Sequence, residues 1–315
     1  MKKYISLLLA ALMLLSLLAG CGGGKTNADD GDGTRTLVLR NTAGLSTNDP
    51  HATTNTHDYT VFENIYEGLY DLNEATGGYD LRLAEKVEAN DDATEYIVTL
   101  KQGVKFHNGE TMTADDVVFS YDHAQKDAHM GSYCRPLDHV EKIDEYTVKI
   151  VMNQPFSPIG HMLHKVKIMS KKGIEELGND FGKVPNKVGT GPYMWDENNY
   201  NPLSSWSAVA FEDYHRGKAQ IEKITWNVIE DDTSAITALQ NGELDYMVVP
   251  ISYWGDIKAS DKFNCVEKES NEVMLFCINV ESKTHGELLR NDNIRLAMMY
   301  ALDRDGINKL VCDGY

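Results

Sequence analysis

The stretch VTLKQGVKFHNGETMTADDVVFSYDHA, residues 98–124, changes its backbone pattern midway. Residues 95–101, EYIVTLK, and 104–106, VKF, read as strands joined at Gln102-Gly103. Asn108-Gly109 is a turn signal, since both residues tolerate positive φ. Thr113 then stands where an N-cap is needed. Asp115 and Asp116 fall in the first turn, where the helix dipole favours negative charge. The spacing predicts a helix through DVVFSYDHAQ that buries Val117, Val118 and Tyr121 or their neighbours. Residues 145–152, EYTVKIVM, predict one more strand. The region 95–152 is therefore expected to be a hairpin-rich, antiparallel layer.

Around this layer, strands and helices alternate. Residues 36–40, TLVLR, predict a strand, and a polar Thr/Asn-rich loop follows. In VFENIYEGLYDL, residues 61–72, Val61, Ile65 and Leu69 recur at helical spacing. GIEELGND (173–180) reads as a short helix, KVGTGPYMW (187–195) as a turn, and IEKITWNVIED (221–231) as a strand. DTSAITALQNGELDYMVV (232–249) reads as a helix stopped at Gly242, then a strand. Strands are also expected at 263–269 and 272–280. Two helices then follow. The first shows Ile294, Ala297, Met298 and Ala301 on one face. The second is capped by Asp303 or Asp305, shows Ile307, Leu310 and Val311, and stops at Gly314. Strands alternating with capped helices indicate the α/β class. No repeat of solenoid period is present.

The N-terminus has a separate logic. Lys2 and Lys3 precede an apolar run at 5–18, too short to span a bilayer comfortably and suited to a signal peptide. Leu18-Ala19-Gly20-Cys21 resembles a bacterial lipobox, which implies a leader at 1–20 and a diacylated Cys21. Residues 21–34, rich in Gly, Asp, Asn and Thr, read as a flexible tether. Such a chain is anchored to a membrane rather than spanning it. Loss of Lys2 and Lys3 with the leader takes the net charge from −18 to −20. That excess argues against nucleic-acid or anionic-lipid surfaces. Of five cysteines, Cys21 is assigned to lipid; Cys134, Cys265, Cys277 and Cys312 are left with three possible pairings or none. Cys265 and Cys277 would face each other if the intervening residues formed a hairpin centred on Asn271; four separate thiols fit equally well.

Catalytic patterns are lacking. The sequence has no G-x-S-x-G, H-E-x-x-H, C-x-x-C or P-loop. In GTGPY, Pro192 removes an N–H that a phosphate-cradling loop would use. His161 and His164 are spaced i, i+3, and His51 and His57 lie near Asp49 and Asp58, but two histidines do not make a metal site. No enzyme, cofactor or metal is expected.

Five stretches together resemble the extracytoplasmic solute-binding proteins of the peptide/nickel class, which serve ABC importers. They are the segment at 98–124, IYEGLYDL, VGTGPYMW, YHRGKAQIEKITWNVIEDDTSAITALQNGELDYM, and NIRLAMMYALDRDGINKLVCDGY. The resemblance implies a type II periplasmic-binding-protein-like fold of two lobes with an extra inserted domain. Residues 35–67 and 186–269 would form a discontinuous first domain, 68–185 the insertion, and 270–315 the start of a mostly missing third domain. A product truncated after Tyr315 is the expectation. By the same resemblance, ligand lies between the first and third domains. The matching positions are Asn41, Thr42, Ala43 and Gly44 after the first strand, Ser252, Tyr253 and Trp254 in the turn after MVVP, and Asn271, Glu272 and Met274 at the crossover. The implied function is a monomeric, lipid-anchored extracytoplasmic receptor that hands oligopeptides or dipeptides to a permease. A nickel-chelate or other solute binder, or a sensory or adhesion lipoprotein, are the alternatives.

Overall fold

The computed structural model describes residues 35–268 and 277–311. The leader, the tether, Cys21, Asn271, Glu272, Met274, Cys312 and Gly314 lie outside the described residues, as do most of the strand expected at 272–280. In chain order the described strands are β1 (Thr36–Asn41), β2 (Tyr70–Asn73), β3 (Gly78–Leu81), β4 (Ala84–Ala89), β5 (Glu95–Leu100), β6 (Leu137–Asp144), β7 (Thr147–Met152), β8 (Tyr193–Asn201), β9 (Ser205–Ala210) and β10 (Lys223–Val228). One sheet has the order β1-β10-β9-β8, a second β4-β5-β7-β6, and β2 and β3 form a two-stranded ribbon. β1 and β10 run parallel, in register from Thr36↔Lys223 to Asn41↔Val228. The sheet β4-β5-β7-β6 is antiparallel throughout, as its hairpin-rich sequence predicts.

Each large sheet has its own core. Trp195, Trp206 and Trp226 from β8, β9 and β10 are buried with Val61, Phe62 and Ile65 of the helix Thr56–Ile65. In the antiparallel sheet, Val98 and Leu100 of β5 and Val148 and Ile150 of β7 cluster with Val117 and Tyr121 of the helix Ala114–Lys126. The alternation in EYIVTL is thus the signature of one covered face. Asn108-Gly109 turns as expected, with Gly109 at φ 87°. Thr113 and Asp116 form a capping box: the Asp116 carboxylate accepts from the Thr113 N–H at 2.9 Å.

Four local expectations are corrected. The helix expected over 61–72 ends at Ile65, and β2 begins at Tyr70. Val61 and Ile65 belong to one core and Leu69 to the other, so their helical spacing spans a crossing between layers. Gly68 marks that crossing: a Cβ there would lie 2.6 Å from the carbonyl oxygens of both Leu163 and His164. Residues 104–106 make only an isolated Lys105↔Thr111 bridge, the Phe106 N–H donating to Glu110 O at 2.8 Å. The strand expected after Gly242 is reduced to one parallel bridge, Leu39↔Tyr246, and Val248 is 77% exposed. Residues 263–268 form no strand. Gly242 itself caps the helix Asp232–Asn241 at φ 75°.

The chain divides into two compact units, residues 1–247 and 248–315. Both large sheets and both cores belong to the first. The second carries the helices Ile251–Lys258, Gly286–Leu289, Asp292–Ala301 and Arg304–Val311. Asn291 caps the third of these by accepting from the Asn293 N–H at 3.0 Å. Asp303 caps the fourth, accepting from the Gly306 N–H at 2.9 Å. Cys134, Cys265 and Cys277 are free thiols. Burial pushes the Cys134 thiol up to about 12, so it is unreactive at neutral pH.

Candidate functional site

Parallel strands present their carboxyl ends together, and in open α/β sheets ligands lie in the crevice beyond those ends. Here β1 and β10 end side by side at Asn41 and Val228. Arg40, its side chain 4% exposed, ties the two exits together. Its Nε donates to Ile229 O at 2.9 Å. Its Nη2 donates to Glu230 O at 3.0 Å and to Asp232 Oδ1 at 2.7 Å. Asp231 caps the following helix, accepting from the Ser234 N–H at 2.8 Å and its hydroxyl at 2.7 Å. These two bonds hold the Asp231 carboxyl below its ordinary range.

The loop after β1 begins with Asn41, which is buried. Its carbonyl accepts from the Ile229 N–H at 3.0 Å and its Nδ2 donates to His57 O at 3.4 Å. Thr42 is exposed, and Ala43 and Gly44 are half-buried. A Cβ on Gly44 would fall 2.6 Å from Pro202 O, so the loop rests directly on the β8–β9 turn. The Leu45 N–H donates to the same Pro202 oxygen at 2.8 Å. Further on, buried Asp58 accepts from the hydroxyls of Ser46 (2.5 Å) and Thr53 (2.7 Å). The loop is therefore held at both ends, with Thr42 the most open of the four expected positions.

Ser252, Tyr253 and Trp254 lie in the second unit, on the helix Ile251–Lys258 rather than in a turn. Ser252 is exposed, and the two aromatics are half-buried. The Trp254 indole N–H donates to Glu267 Oε1 at 2.9 Å, and Lys258 Nζ binds the same oxygen at 2.5 Å. The Lys258 ammonium lies 5.6 Å from the indole centroid. These bonds from Lys258 and Trp254 hold the Glu267 carboxyl low. Asn271, Glu272 and Met274 lie outside the described residues.

Sequence reasoning missed Arg40, whose partners are 189 to 192 positions away. A charge ending an apolar strand was the available signal. It also missed a polar centre built on Glu67, which is 5% exposed. Glu67 accepts from Tyr214 OH (2.8 Å), from Thr190 Oγ1 (3.1 Å) and, at 2.9 Å, from the His215 ring. Arg82 Nη1 lies 3.6 Å from it. Beside it, Lys167, 1% exposed, pairs with Glu63 at 2.7 Å. Burial works to raise the Glu63 pKa, but the Lys167 ammonium and its hydrogen bond outweigh burial and hold the carboxyl low. The histidines noted in the sequence do not pair up. His161 Nδ1 bonds Tyr79 OH at 3.1 Å, while His164 Nε2 is 3.8 Å from Glu63. His57 lies 3.7 Å from Asp58, whereas His51 accepts from the Lys167 N–H at 3.1 Å.

Among curated proteins, the glutathione-binding protein GsiB of Salmonella paratyphi A is 29% identical over 289 residues, 89% of this chain and 54% of its own length. The oligopeptide-binding protein AppA of Bacillus subtilis is 30% identical over 273 residues, 81% of this chain and 48% of its own length. The chain thus spans about half the length of the curated relatives it matches. The solved structure of Bacillus subtilis AppA in complex with a nonapeptide superposes with a TM-score of 0.75 at 24% identity, over 89% of this chain and 56% of that one. NikZ of Campylobacter jejuni in complex with Ni(L-His) gives 0.77 at 23%, over 88% and 55%. These likenesses give the fold, the mixed α/β type II periplasmic-binding-protein fold. The sequence profile of the bacterial extracellular solute-binding proteins, family 5 Middle, matches residues 79–315, and the chain belongs to that family.

Proposed function

We propose that this chain is the cargo-binding part of an ABC importer, taking oligopeptides or dipeptides outside the cell and delivering them to a membrane permease as a monomer. The family match carries this reading. The relatives named for glutathione and for oligopeptides support the peptide class, since their cargoes share peptide backbone. The loop at Asn41, Thr42, Ala43 and Gly44 suits that cargo. It offers small side chains and main chain at the end of β1, and strand-like bonds to backbone amides are sequence-tolerant. By the family resemblance, Ser252, Tyr253, Trp254, Asn271, Glu272 and Met274 are the further positions proposed to take part in binding. The proposed layout is a first domain of 35–67 with 186–269, an insertion at 68–185, and a further domain opening at 270. The separate cores of the two large sheets support setting the insertion apart, while the boundary between the compact units falls at 247 rather than at 270. Cargo capture is then a population shift toward a closed form.

The test is a thermal-shift panel of glutathione, dipeptides, a nonapeptide and Ni(L-His) on the purified protein. A peptide at about 100 times its Kd is expected to stabilise by about 2.7 kcal/mol. Stabilisation by Ni(L-His) or a sugar, with none by any peptide, would replace the peptide reading by another solute. Lipid anchoring through Cys21 at the outer face of the plasma membrane rests on the sequence at 18–21. C21S is expected to abolish metabolic labelling with palmitate and release the protein to the medium; labelling that persists would refute it.

A further inference from the structure

Away from the loop after β1, two groups of histidines and carboxylates converge among the described residues. In the first, Asp49, His51 and His123, the geometry works against a metal. His51 Nε2 accepts from the Lys167 N–H at 3.1 Å, so the neutral ring carries its proton on Nδ1 and has no lone pair free.

The second group is Glu63, Asp71 and His164. Glu63 comes from the last turn of the helix Thr56–Ile65, Asp71 from β2, and His164 from the helix Gly160–Lys165. Each carboxylate is engaged on one oxygen only by a cation. Lys167 Nζ holds Glu63 Oε2 at 2.7 Å, and Arg82 Nη2 pairs with Asp71 Oδ2. The other oxygens approach the imidazole beside different nitrogens: Glu63 Oε1 lies 3.8 Å from Nε2, and Asp71 Oδ1 lies 4.0 Å from Nδ1, so an ion taken by one nitrogen draws the farther carboxylate toward it. Asp71 Oδ1 also accepts from the Leu72 N–H at 3.0 Å. One donor atom from each residue falls within 4.8 Å of the others. His164 is 7% exposed, and its Nδ1 makes no hydrogen bond. A buried polar nitrogen without a partner is costly unless something satisfies it. A cleft of about 70 Å³ lies beside the two carboxylates, lined in part by Glu63, Asp71, Arg82 and Lys167.

We infer that Glu63, Asp71 and His164 form a binding site for a borderline divalent metal ion of the zinc type, with water completing its coordination. This site is separate from the cargo loop and does not rest on the peptide reading. One imidazole with two carboxylates selects transition ions over magnesium or calcium, which prefer all-oxygen shells. Bonds of about 2.0–2.2 Å set donor atoms roughly 3.4 Å apart, so atoms now within 4.8 Å of one another must draw together by up to about 1.4 Å. The Glu63 and Asp71 side chains, 36% and 35% exposed, have room to do so. The Lys167 ammonium and Arg82 guanidinium compete with the ion for the carboxylates.

The test is calorimetric titration of Zn²⁺ into the purified protein at pH 7. One ion is expected to bind, with Mg²⁺ giving no heat. H164Q and D71N are each expected to weaken binding at least tenfold, as loss of a ligand does. K167M is expected to tighten it, because a competing charge is gone. H51Q is expected to leave it unchanged. Circular dichroism on each variant establishes folding, and D71N, on the β2–β3 ribbon, stands in should H164Q not fold. Binding as tight in D71N as in wild type, loss of binding in H51Q, no gain in K167M, or no Zn²⁺ binding at all would each overturn the inference.

Discussion

His51 and His107 show how burial turns a single side chain into a pH-dependent stability contribution. His51 is fully buried, and burial followed by the nearby His123 lowers its pKa to about 3. His107 Nε2 donates to Gly191 O, 2.9 Å away, and burial lowers the pKa of the ring to about 4. Both rings are neutral in the folded chain, while in the unfolded chain they titrate near 6.5. Between those limits the unfolded state holds more protons, so stability falls as pH drops below 6.5. Each histidine contributes a slope of about 1.4 kcal/mol per pH unit near pH 5. Urea denaturation at pH 7, 6 and 5 is expected to show this loss, and H107Q to remove one histidine's share of the slope. A stability that is flat over this range would contradict it. Asp49 and Asp116, which burial raises, act in the opposite sense, but only toward the carboxylate range.

At the scale of elements, one carboxylate joins two helix starts. Asp116 Oδ2 accepts from the Thr113 N–H at 2.9 Å and the Thr113 hydroxyl at 3.1 Å, while Oδ1 accepts from the Lys171 N–H at 3.0 Å. Lys171 begins the helix Lys171–Leu177. D116A is expected to strand two partly buried N–H groups at a cost of about 2–3 kcal/mol. Thermal unfolding is the measurement, and a change below about 0.5 kcal/mol, the range of ordinary surface substitutions, would show that the shared cap is unimportant. The glycines of VGTGPY serve a different need. A Cβ would lie 2.2 Å from Ile65 O at Gly189 and 2.6 Å from Asn64 O at Gly191. The loop passes directly against the end of the helix Thr56–Ile65, and Gly191 N–H donates to Ile65 O at 3.0 Å. That close passage is what the two glycines permit.

At the scale of the whole molecule, both core clusters draw all their members from residues 39–228, inside the compact unit that ends at 247. A chain of residues 35–247 is therefore expected to fold alone, with cooperative unfolding and a near-UV signal from Trp195, Trp206 and Trp226. Those indoles are 2%, 0% and 1% exposed, so loss of native packing would be plainly visible. Failure of this chain to fold would show that residues beyond 247 are needed for the cores.

Much of the fold was legible from residues 95–152, because strand alternation, Asn108-Gly109 and Thr113 with Asp116 are local signals acting over a few positions. Gly242 as a helix stop and Asp303 as a cap were legible for the same reason. The helix misread at 61–72 was not, since Leu69 keeps helical spacing with Val61 and Ile65 while packing in a different core. The strand expected after Gly242 failed because edge pairing depends on what lies alongside, not on the run of apolar residues. For the candidate site, the sequence put forward the loop Asn41, Thr42, Ala43 and Gly44, whereas Arg40 and its carbonyl partners emerged only when β1 and β10 were placed in parallel. The sequence by itself determined local conformation and membership of the solute-binding family. Only the tertiary structure decided which charges meet: Glu63 with Asp71 and His164, Glu67 with Tyr214 and His215. Those meetings join residues up to 148 positions apart, and burial, which gives such contacts their strength, belongs to the packed chain alone.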